Sequence, residues 1–167
     1  MRLIALPLIA PTLIATALLL SACGDGGDVG AVSNDWTGNE IRIQALADPK
    51  VQGVTCHMSS FDRSFLDRIG KGNWFENPSN ASIACRQTGP IHVGDIDFDE
   101  NGEEVFSQRQ SLIFKSLSVR RIYDAAHNTL VYLVYSRQVK DGSAKMAIST
   151  VALYGQDVTW DKVPPVN

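Results

Sequence analysis

The chain has few of the residues that would commit it to a reaction. Of 167 residues, three are histidine and three are cysteine, and neither type is clustered. There is no H-x-x-x-H or H-E-x-x-H pair, no C-x-x-C and no G-x-S-x-G. These absences remove the sequence signatures of common zinc sites, dithiol redox centres and nucleophile elbows. An excess of positive charge is lacking as well. Fifteen basic residues face 18 acidic ones for a net charge of -3, which speaks against a nucleic-acid partner. Length and a 44% hydrophobic content allow one ordinary domain and exclude a disordered or multi-span chain.

One long apolar run is present, and it reads as an address. Residues 1–22 carry a single charge, Arg2, followed by the apolar stretch of an export signal. The run ends in Leu20-Ser21-Ala22-Cys23, which resembles the lipobox of bacterial lipoproteins. That resemblance implies cleavage before Cys23 and acylation of its thiol. The alternative, an uncleaved spanning helix, is interrupted by Pro7 and Pro11. Gly24, where an aspartate would favour inner-membrane retention, points to the inner leaflet of the outer membrane, facing the periplasm. Residues 23–35 are rich in glycine and aspartate and are expected to form a flexible tether. A globular domain over 36–160 and a tail over 161–167 complete the organisation.

Cysteine arithmetic agrees with export. With Cys23 given to lipid, Cys56 and Cys85 remain as an even pair in an oxidising compartment, and a disulfide between them is expected. Two buried thiols, or a metal site with His57 or His92, are the alternatives.

Hydrophobic periodicity predicts an α+β domain, mainly antiparallel sheet with one or two short helices. Strands are expected over 40–46, 54–60, 103–107, 111–114, 118–124, 129–137 and 147–154. Phe61, Phe65, Leu66 and Ile69 fall at helical spacing, and a second helix over 80–87 is expected behind Ser79 as N-cap. Ala125 to Asn128 reads as a hairpin turn.

Three stretches carry a resemblance: Asp48–Cys56 (DPKVQGVTC), Ala81–Ile91 (ASIACRQTGPI) and Glu104–Thr150. Occurring in this order, they are similar to the CreA family of exported bacterial proteins, over roughly 40–151. The resemblance implies no activity and no catalytic residues, because none is assigned to that family. Both Cys56 and Cys85 fall inside the similar stretches, whereas the lipobox and the segment 63–78 depart from the family pattern.

The remaining candidates are modest. Asp97, Asp99 and Asn101 stand at positions one, three and five of half an EF-hand loop, with Gly102 at six. Position twelve is Gln108 instead of glutamate, so an acidic Asn-Gly turn is the stronger reading and no cofactor is expected. Of Arg120 and Arg121, neighbours on a strand, one should point inward and find a carboxylate. Tyr123, Tyr132 and Tyr135 are candidates for a ligand groove or for plain core. Trp74 and Phe75, in a loop between glycine and proline, are a candidate contact surface.

The function expected is an envelope lipoprotein acting as a binding or interaction module and not as an enzyme. Its partners would be the membrane, through the N-terminal lipid, and an envelope protein or small ligand. The alternative is an envelope hydrolase, which requires a histidine meeting a carboxylate and a hydroxyl in a cleft.

Overall fold

The computed structural model describes residues 27–70, 80–106, 114, 116–139 and 144–165. Among them nine strands and one short helix follow in the order β1 (Asp28–Ser33), β2 (Glu40–Ala47), β3 (Val51–Asp62), α1 (Phe65–Gly70), β4 (Ala81–Val93), β5 (Glu103–Glu104), β6 (Leu117–Asp124), β7 (Thr129–Ser136), β8 (Met146–Ala152) and β9 (Val158–Trp160). They form a five-stranded sheet, β1-β2-β3-β4-β9, and a four-stranded sheet, β5-β6-β7-β8. All neighbours are antiparallel except β4 and β9.

The fold is therefore nearly all-β, and the α+β expectation is corrected. The helix expected over 80–87 is the first half of β4. Its side chains alternate, with Ile83 and Cys85 buried and Ser82, Ala84 and Arg86 exposed. Alanines and a Ser79 cap suggested helix, but pairing with β3 on a buried face overrides such weak propensity. Phe61 belongs to β3, and the helix at 65–70 turns its apolar residues outward: Phe65, Leu66 and Ile69 are exposed while Asp67 is buried. Residues 28–33, expected within the tether, pair with β2 as an edge strand exposed along its whole length. Its glycine and aspartate gave no alternation to read.

Period-two burial builds the core. Val54, Cys56, Met58 and Ser60 of β3 face inward, as do Leu130, Tyr132, Val134 and Ser136 of β7. One cluster joins both sheets, with Phe106, Phe114, Ile91 and Ile96 fully enclosed. Phe106 and Phe114 stack at 5.8 Å. The Ala125–Asn128 turn forms as expected, with Asn128 at φ 45°. At the bulge of β3, Gly53 has φ +77°, and a Cβ there would lie 2.1 Å from the Pro90 carbonyl oxygen.

Cys56 and Cys85 face each other across β3 and β4 and are joined by a disulfide. For a loop of 29 residues, chain entropy assigns this bond a stabilisation of about 3.5 kcal/mol. Beside it, the Cys85 amide donates to Ser149 Oγ at 2.8 Å, tying β4 to β8 and hence one sheet to the other.

Candidate functional site

A groove opens where the ends of β2, β3 and β4 meet the start of β8. Its volume is about 610 Å³. Ile41, Phe61 and Met146 supply apolar wall, Ser59 and Ser82 supply hydroxyls, and Lys145 supplies a positive charge. Strand alternation places these side chains: Ile41 stands opposite Phe61, and Ser59 opposite Ser82. The two serine hydroxyls share a hydrogen bond of 2.8 Å. Among the described residues no carboxylate pairs with Lys145. Neither Lys145 nor this groove was singled out from the sequence. Register across β2, β3 and β4 brings residues 41, 61 and 82 together, and packing of β8 against β4 adds residue 145.

A second polar cluster lies inside the fold. Arg121 is 1% exposed, and its Nη1 donates to Asp48 Oδ1 and Oδ2 at 2.5 and 2.6 Å. Its Nη2 donates to Glu103 Oε2 at 2.8 Å, and Lys50 pairs with the other oxygen of Glu103. Tyr132 Oη donates to Asp48 Oδ2 at 2.8 Å, and the Lys50 amide donates to Oδ1 at 2.9 Å. This is the inward arginine that strand alternation anticipated, with Arg120 facing the other way. Burial pushes the Tyr132 phenol well above its ordinary range, and the Asp48 charge and hydrogen bond add to it. For Glu103, burial works upward, but the hydrogen bond from Lys50 and the charge of Arg121 outweigh it, and the carboxyl titrates low. The Asp48 and Arg121 side chains are sealed from solvent and pin the β2–β3 turn onto the second sheet, while Lys50 and Glu103 stay partly exposed at the rim.

The half EF-hand is a turn. The Asp99 amide donates to Asp97 Oδ1 at 3.0 Å, and Arg120 Nη1 donates to the carbonyls of Asn101 and Gly102 at 2.8 and 3.1 Å. A guanidinium thus already occupies loop oxygens. Gly102 is required for another reason: at φ +62° a Cβ would lie 2.3 Å from the Arg121 carbonyl oxygen. Among the described residues no three His, Cys, Asp or Glu come together as a metal site.

The histidines are dispersed. His57 is exposed, and His127 Nδ1 lies 2.8 Å from Asp124 Oδ2 on the hairpin. His92 meets both a hydroxyl and a carboxylate, with Nδ1 at 2.8 Å from Thr159 Oγ1 and Nε2 at 3.3 Å from Asp161 Oδ1. That contact sits on the outer edge of the first sheet, where the side chains of His92 and Asp161 are 37% and 59% exposed. The groove lies at the other end of β4, where Ala81 and Ser82 line it with residues of β2, β3 and β8.

The three tyrosines do not line one surface. Tyr132 is core, Tyr135 is on the opposite face of β7, and Tyr123 packs on Phe98 and Trp160 with centroids 5.5 and 5.4 Å away. Cys23, Trp74 and Phe75 lie outside the described residues. Among those described, no helix is long and apolar enough to cross a membrane.

Comparison with known proteins places the sequence motifs in context. The family model described as CreA protein matches residues 29–156. The chain is 45% identical over 116 residues to Protein CreA of Escherichia coli K12, a match covering 68% of this chain and 72% of that protein. The CreA proteins of E. coli O6:H1 (strain CFT073) and of E. coli O157:H7 give the same figures. No solved structure matches significantly. The matched region contains the disulfide, the buried Arg121 cluster and most of the groove: this chain belongs to the CreA family.

Proposed function

We propose that this CreA-family chain is an envelope lipoprotein, held by lipid on Cys23 and facing the periplasm, that works by binding and not by catalysis. The observation that carries the reading is the groove. It combines apolar walls, paired hydroxyls and an ammonium with no carboxylate partner among the described residues, which is how sites that bind small ligands are composed. The chemistry fits a ligand with an apolar body and an anionic group, the body against Ile41, Phe61 and Met146 and the anion at Lys145. Among its described lining residues the groove holds no carboxylate or imidazole. The lipobox sequence and the pairing of Cys56 with Cys85 support an exported, oxidising setting.

The test is native mass spectrometry of the full-length protein extracted gently from membranes. A retained small molecule, absent from the Lys145→Glu variant, is the expected result. A bare chain in both would overturn the binding reading. The denaturing, non-reducing mass reads the anchor independently, since acylation adds lipid mass at Cys23. An envelope hydrolase has one observation in its favour, the contacts of His92 with Thr159 and Asp161. Hydrolysis of an envelope substrate that disappears in Thr159→Val would favour it over binding.

A further inference from the structure

Away from the groove, the fold spends organised structure on holding apolar side chains in water. Trp36 is 95% exposed, yet the loop that carries it is tightly bonded. Asp35 accepts from the Thr37 hydroxyl at 2.6 Å, the Thr37 amide at 2.9 Å and the Asn39 side chain at 2.7 Å. Asn39, 2% exposed, accepts in turn from the Ser64 amide at 3.0 Å, and Ser64 Oγ donates to the Thr37 carbonyl at 2.5 Å. Ser64 also caps α1, since its hydroxyl accepts from the Asp67 amide at 3.2 Å. Loop and helix are thus one unit. On that unit the polarity is inverted. Asp67 is buried at 5% exposure, whereas Leu66 is 69% and Ile69 49% exposed. Folding alone gives no reason for this arrangement, because leaving such side chains in water forgoes about 1.5–3 kcal/mol each relative to burial.

We propose that this tip, Trp36 with the outward face of α1, is a second membrane contact that inserts into the interface of the bilayer carrying the lipid anchor. The proposal rests on the lipoprotein reading for its geometry. Cys23 stands five residues before Asp28, the first residue of β1, and five residues span at most about 17 Å. An anchor that short holds the start of β1 within about 17 Å of the bilayer, and Trp36 stands three residues past the other end of this six-residue strand. Val29 and Val32, 58% and 57% exposed, lie between them along the strand. The chemistry favours lipid over a protein partner. A lone protruding indole needs a matching pocket on a protein but none in a bilayer, where Trp is enriched at the headgroup level. Charge near the tip is partly balanced: Asp62 faces Arg42 at 3.2 Å and Asp67 faces Arg63 at 3.6 Å, while the Asp35 charge is held by hydrogen bonds from Thr37 and Asn39.

The experiment uses vesicles of phosphatidylethanolamine and phosphatidylglycerol with brominated acyl chains, which quench tryptophan on contact. Two preparations are compared: the lipidated mature chain, and the polypeptide from Gly24 held to nickel-chelating lipid by an N-terminal histidine tag in place of Cys23. Each is made as parent and as Trp36→Phe. The expected result is a blue shift and bromide quenching in both parents, with the quenchable component lost in Trp36→Phe. Leu66→Asp should reduce the quenching while leaving the urea midpoint unchanged. Equal quenching in parent and Trp36→Phe, or none in the tagged chain, would overturn the proposal and leave the tip to a protein. An unlipidated Cys23 would overturn the anchor alone, because the tagged preparation still reads the tip.

Discussion

Replacing Arg121 with methionine should cost about 3–5 kcal/mol of folding stability, and the reason lies in what is left behind. Arg121 and Asp48 are 1% and 0% exposed at their side chains, so neither charge is relieved by water. Three charge-assisted hydrogen bonds are lost, two to Asp48 and one to Glu103. The arm to Glu103 is partly solvated and counts for little. The two to Asp48 are the ones that matter. Without them the Asp48 carboxylate keeps only the Tyr132 hydroxyl and the Lys50 amide, which places the expectation near 3 kcal/mol. With a urea m-value of about 2 kcal/mol/M, the midpoint should fall by about 1.5 M. Urea unfolding followed by circular dichroism, with the disulfide intact, is the assay. Adding Asp48→Leu should recover most of the loss, because a buried ion pair is nearly neutral against an apolar substitute. A loss below about 1 kcal/mol, or a double variant whose loss equals the sum of the singles, would refute the reasoning.

Tyr132→Phe should cost about 1.5 kcal/mol at neutral pH, the low end for a hydrogen bond to a charged group. It should also change the alkaline limb. The Tyr132 phenol is raised in the fold, so its contribution is complete below the unfolded value near 10 and declines as pH rises toward the folded one. Urea midpoints compared at pH 8 and pH 11 should fall less in the variant. Asp35 runs the opposite way: the hydrogen bonds from Thr37, then Asn39, lower it to about 2, so its contribution is present above its ordinary value of 3.8 and is lost as pH falls through about 2. A carboxyl NMR titration should place the midpoint there, and Thr37→Val should move it back toward the ordinary value. Gly102→Ala should destabilise the fold by more than 1 kcal/mol, since its Cβ meets the Arg121 backbone, and calcium should not restore the melting temperature.

The strands that can be read from sequence are those with one buried face and β-branched or aromatic alternation. β2, β6, β7 and β8 were legible within a residue or two, as was the hairpin turn at Asn128. The disulfide was legible from the expected export address and the even pair left once Cys23 is set aside, and the inward arginine from the pleat. β4 was misread because Ala81, Ala84 and Ser82 leave only Ile83 and Cys85 to mark a buried face, too few to outweigh apparent helix signals. β1 was invisible because a strand with no buried side carries no hydrophobic period.

The buried cluster, the groove and the tip were hidden for a related reason. Asp48 and Arg121 are 73 residues apart and meet only because two sheets pack, and the groove gathers side chains from four strands and the residues that precede β4 and β8. The tip shows the sharpest case. Phe65, Leu66 and Ile69 have the spacing of a core-facing helix, and pattern alone assigns them to the interior. Ser64 reverses that assignment: by bonding to Thr37 and Asn39 while capping α1, it rotates Asp67 inward and the apolar face out. Hydrophobic spacing reports that a face wants to leave water. Whether it leaves water into the protein or into something beyond it is decided by the polar contacts that fix the helix, and those are read from coordinates.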